Sequence, residues 1–63
     1  MGGYYEKSRD GVNWTKLSAA DVRSQLAGFY RDVTYAMSEM RKNPGKTWPT
    51  PFASFRYTKQ EAD

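Results

Sequence analysis

The chain has 63 residues with neither cysteine nor histidine, which removes disulfides, thiolate and imidazole metal ligands, and every Ser-His or Cys-His nucleophile. Ten Lys/Arg against seven Asp/Glu leave a net charge of +3, a balance that suits an anionic partner without demanding one. The length allows one domain, 1–63, stabilised by packing alone or by docking on another molecule.

Mean hydropathy is −0.92, and with apolar runs of about three residues at most nothing is expected to span a membrane. Met1-Gly2-Gly3-Tyr4-Tyr5-Glu6 lacks the basic start and apolar core of a signal peptide, and Glu6 stands where a myristoylation motif wants Ser or Thr. The expected location is cytoplasmic, the host cytoplasm if the protein is viral.

In chain order, Asp10-Gly11 is a turn signal between two strand-like stretches, Tyr4-Tyr5 before it and Val12, Trp14 and Thr15 after it. This predicts a β-hairpin over about 4–17. A two-residue turn would pair Lys7 with Trp14 and a three-residue loop would pair Glu6 with Trp14. That single slip moves every side chain to the other face.

Ser18-Ala19-Ala20-Asp21 resembles a capping box with Asp in place of Glu, so Ser18 caps a helix. Val22, Leu26, Phe29/Tyr30, Val33, Ala36/Met37 and Met40 then recur every three or four residues and fill a sector of about 120° at helical pitch. Asn43-Pro44-Gly45 stops the helix, because Pro44 disfavours α at Asn43 and Gly45 permits a reversal. One long helix over about 19–42 is expected, with Val22, Leu26, Phe29, Val33 and Met37 innermost and Trp14 packed on them.

After Thr47-Trp48-Pro49-Thr50-Pro51, an extended stretch, Phe52–Thr58 alternates as a third strand with Ala53, Phe55 and Tyr57 on one side. Thr50 as cap with Pro51 at the first helical position would instead open a short helix. The last five residues are expected to fray. The fold class is α+β: a hairpin on a long helix, with an extended segment or strand at about 52–58 laid back on both.

Little here supports catalysis. Asp21, Asp32 and Glu39 align on the helical wheel, but the nearest two stand roughly 10 Å apart along the axis, too far for a carboxylate dyad or an evident cation site. No glycine-rich loop opens a helix to hold phosphate. The expectation is a non-enzymatic protein without cofactor or metal.

Two surfaces remain. A helix of about 24 residues is about 36 Å long, whereas a compact chain of this size is roughly 28 Å across. The Met37/Met40 end therefore needs cover from Trp48, Phe52 and Phe55 or from a partner. Opposite the apolar stripe lie Ser24, Gly28, Arg31, Tyr35 and Lys42, where neither a mid-helix glycine nor a ring serves the core. Ser24, Gly28, Arg31, Tyr35, Lys42, Trp48, Phe52 and Phe55 form the expected binding surface for a larger protein or for copies of the chain itself. The alternative is nucleic-acid binding through Arg31, Lys42, Lys46, Arg56, Tyr57 and Lys59, where cations alternate with rings.

Ser8-Arg9-Asp10-Gly11-Val12, followed by Ser18-x-x-Asp21 and a basic tail broken by Pro and Gly, resembles the second half of the gpW-type head–tail joining proteins of tailed phages. The likeness spans about 35 residues and lacks that family's N-terminal helix. It implies a class rather than site residues: small basic accessory proteins that wedge into larger assemblies.

Overall fold

The computed structural model describes residues 2–59; the expectation for residues 60–63 lies outside them. The elements are β1 (Gly3–Ser8), β2 (Thr15–Leu17), α1 (Ala19–Leu26), α2 (Val33–Lys42), β3 (Trp48–Pro49) and β4 (Ser54–Lys59). The four strands form one antiparallel sheet in the order β2-β1-β4-β3, and both helices pack on one of its faces. The fold is α+β.

The central contact is between β1 and β4, paired along six residues from Gly3↔Lys59 to Ser8↔Ser54. Side chains alternate across this ladder. Tyr5 and Phe55 face the helices and join Val22, Leu26, Met37 and Met40 in the core, with Leu17, Tyr30, Val33, Trp48, Ala53 and Tyr57 packed around them. Gly3 is required by the same packing, because a Cβ there would sit 2.8 Å from the Tyr57 ring. Ala53, Phe55 and Tyr57 thus share one side, as the alternation implied. The strand begins two residues later than expected, and the Thr50-Pro51 helix does not form. Instead the Thr50 hydroxyl accepts from the amides of Phe52 and Ala53 and donates to the Ala53 carbonyl, closing a tight β3–β4 turn.

The hairpin forms, with a register neither turn predicted: Lys7 pairs with Thr15 and Glu6 with Lys16. The cause is Asp10. Its carboxylate accepts from the amides of Val12 and Asn13 at 2.8 Å each, from the Asn13 side chain and from the Ser8 hydroxyl. The Gly11 amide in turn donates to Ser8 Oγ, with Gly11 at φ +78°. These local bonds replace ladder bonds and lengthen the loop. Trp14 consequently lies on the sheet face away from the helices, under the Arg56 guanidinium, and does not pack on the core.

The expected single helix is two. Ser18 caps α1 through the Asp21 amide as predicted, but α1 stops at Leu26, whose carbonyl accepts from both Phe29 and Tyr30. Asp32, in an extended conformation, then caps α2 by accepting from the Tyr35 amide at 2.9 Å. Arg23 reaches from α1 to the Thr34 hydroxyl, tying the helices together. Splitting the helix lets both halves lie on a short sheet. The apolar spacing survives the break at Val22, Leu26, Ala36, Met37 and Met40, all buried, whereas Phe29 sits in the connection and is 44% exposed. Asn43-Pro44-Gly45 ends α2 as expected, and the Gly45 amide donates to the Tyr57 carbonyl.

Leu26 is fully buried, so Leu26→Ala is expected to cost about 2–5 kcal/mol; chemical denaturation checks this, and a loss near zero would contradict the core. The Asp10 carboxyl is held far below its ordinary value of 3.8, chiefly by the backbone amides of Asn13 and Val12. Its stabilising effect is complete above that value and fades as pH falls through it towards the folded-state pKa. Melting temperatures measured between about pH 6 and pH 2 should fall less steeply for Asp10→Asn than for the parent chain. Parallel curves would refute the role of Asp10.

Candidate functional site

The helix break redistributes the expected binding surface. Ser24 remains exposed on α1, and Tyr35 in the first turn of α2 is 63% exposed. Gly28 and Arg31 lie between the helices, so these residues do not form one continuous helix face. A Cβ at Gly28 would meet nothing within 4 Å; no close approach requires glycine there. Phe55, expected to cover the Met37/Met40 end or to meet a partner, is 2% exposed in the core with Met37 and Met40 and is not part of an exposed surface. Trp48 is half-buried on β3, edge-on to Tyr30 with ring centroids 6.4 Å apart and the Lys46 ammonium 4.6 Å above its face. Its indole N–H is buried without a partner among the described residues. The Tyr30 hydroxyl donates to the Pro49 carbonyl, and burial pushes its pKa upward.

Phe52, expected with Trp48 and Phe55 to cover the Met37/Met40 end, instead stays at the surface against Phe29, which the helical spacing assigns to the core. The β3–β4 turn holds Phe52 76% exposed, and its ring meets Phe29 edge-to-face with centroids 5.7 Å apart. Beside the two rings runs a groove of about 230 Å³ lined by Lys7, Arg9, Gln25, Phe29, Thr50, Phe52, Ala53 and Phe55. Its floor is apolar and its polar rim contains two cations and no carboxylate. Lys7 is steered towards it by donating to the Gln25 side chain at 3.1 Å. The mid-helix position of Phe29 on the predicted wheel concealed it; the signal available was Asp32, which offers an N-cap four residues before Ala36.

The nucleic-acid set divides four ways. Lys42, Tyr57 and Lys59 converge at the far end of the sheet, joined by Arg41, Gly2 and Pro44 around a cavity of about 370 Å³. Lys46 stacks on Trp48 and Arg31 lies in the helix connection. Arg56 belongs to the opposite sheet face, where its Nε is 3.0 Å from Glu6 Oε1. Thr58 donates to the same oxygen, and Lys16 sits 4.6 Å above the Tyr4 ring. The cations of this uncovered face are therefore already engaged by a carboxylate or a ring.

No family model, no curated protein and no solved structure matches the chain. The likeness to gpW-type proteins rests on turn and cap signals alone, so function is read from the surfaces. Among the described residues no helix is long and apolar enough to cross a membrane, and no three acidic side chains are grouped to hold a metal ion.

Proposed function

We propose that the chain is a non-enzymatic interaction protein that docks on a larger protein, or on a second copy of itself, through the Phe29/Phe52 groove. The observation that carries this reading is the exposed edge-to-face pair of phenylalanines. A 76% exposed Phe gains little from folding, and rings held rigidly beside an apolar groove are the residues that anchor interfaces. Lys7 and Arg9 on the rim favour a partner with an acidic residue beside its apolar anchor, since complementary charge speeds encounter and fixes register. No catalytic role is assigned: the chain has no histidine or cysteine, and the one buried carboxylate among the described residues, Glu6, is bonded to Arg56 and Thr58.

Selection of displayed peptides against the folded protein, with light scattering of the protein alone, tests this. Enriched peptides should carry an aromatic or aliphatic anchor with an Asp or Glu nearby. Phe52→Ser should weaken their binding, or any self-association, by about 2 kcal/mol while changing stability by less than about 0.5 kcal/mol. Peptides or dimers that ignore Phe52→Ser and Phe29→Ser would place the interface elsewhere.

A further inference from the structure

At the other end of the sheet from Phe29 and Phe52, we infer that the cavity between Arg41, Lys42, Tyr57 and Lys59 binds a phosphate group. β4 runs from Ser54, beside the aromatic groove, to Lys59, about 17 Å away, so this site is separate from the proposed protein-docking surface. It collects three of the chain's ten Lys/Arg from two different elements, and among the described residues none that line it is acidic. Cations at the end of α2 suit the helix dipole. That accounts for Arg41 and Lys42 singly; it does not account for Lys59, which the β1–β4 register delivers opposite Gly3.

The geometry arms the site. Arg41 donates through one terminal nitrogen to the Tyr5 hydroxyl at 2.6 Å, which holds the guanidinium in place and leaves its other N–H groups for an anion. An oriented fork of this kind suits phosphate oxygens. Lys42 lies 3.5 Å from Glu39, with its own side chain 68% exposed. Exposed pairs of this spacing contribute little, so a phosphate can replace the carboxylate. The Tyr57 ring forms an apolar wall against which a base or sugar can rest.

Phosphate could arrive on a small molecule or along a polynucleotide backbone, and the two are separable. The folded protein is titrated at low salt with pyrophosphate and with a short oligothymidylate, followed by backbone amide NMR. Both probes should shift the amides of Gly2, Lys42 and Lys59. A backbone ligand is shown by tighter binding of the oligonucleotide, with an affinity falling as about the second power of salt concentration, the value for three single-strand phosphate contacts. Comparable affinity for pyrophosphate with a shallower salt slope identifies a small phosphate ligand.

The double variant Lys42→Gln/Lys59→Gln should lose at least about tenfold in affinity. Arg9→Gln/Arg31→Gln, which removes the same charge elsewhere, should lose less than about twofold. Both variants must show folded spectra. An equal loss in the two variants would mean general electrostatic attraction, and no shift with either probe would mean no site; either result overturns the inference.

Discussion

Everything in this molecule hangs on the pairing of β1 with β4. Two segments about fifty residues apart in sequence become the middle of the sheet, and the closing entropy of that loop is repaid only when the ladder and the core form together. β2 and β3, with three and two residues, are left as short edges, which discourages strand addition by other chains. The helices lie between the paired strands in sequence and cover one face of the sheet. The register then sorts the side chains: Tyr5, Phe55 and Tyr57 go to the core side, and Glu6, Arg56 and Thr58 to the open side.

That same ladder separates the candidate surfaces. The β3–β4 turn at its start projects Phe52, and its finish carries Lys59 to the end of α2. One end is apolar with a basic rim, the other a basic cavity with an aromatic wall. In a chain of 7.3 kDa a large share of the surface stays exposed after folding, so function resides in what the surface displays. The open sheet face offers less than its composition implies, because Glu6 neutralises Arg56 and the rings of Tyr4 and Trp14 are covered by Lys16 and Arg56.

The errors of the sequence reading have identifiable causes. Periodicity carried one apolar phase from Val22 to Met40, and that phase persists, but it cannot register a break that preserves it. The conflict was visible in the dimensions, since a 24-residue helix of about 36 Å is too long for a short sheet to cover. Gly28 and Asp32 were the residues able to resolve it, one a poor helix former and the other a ready N-cap. In the hairpin, Asp10-Gly11 marked the turn, but the side chains of Ser8, Asp10 and Asn13 chose its length.

The sequence by itself determined the local decisions: Ser18 as a cap, Asn43-Pro44-Gly45 as a stop, an alternating strand through Phe55 and Tyr57, and a chemistry without histidine or cysteine. Each depends on groups within about four residues of one another, where a side chain either meets a nearby amide or does not. Tertiary structure alone decided that β4 lies inside the sheet, that Phe55 is buried while Phe29 and Phe52 meet at the surface, and that Lys59 joins Arg41 and Lys42. Those outcomes depend on which distant segments pair and in what register. Shifting the register by one residue would exchange the two faces at no cost to any local signal, so only packing of the whole chain selects among them.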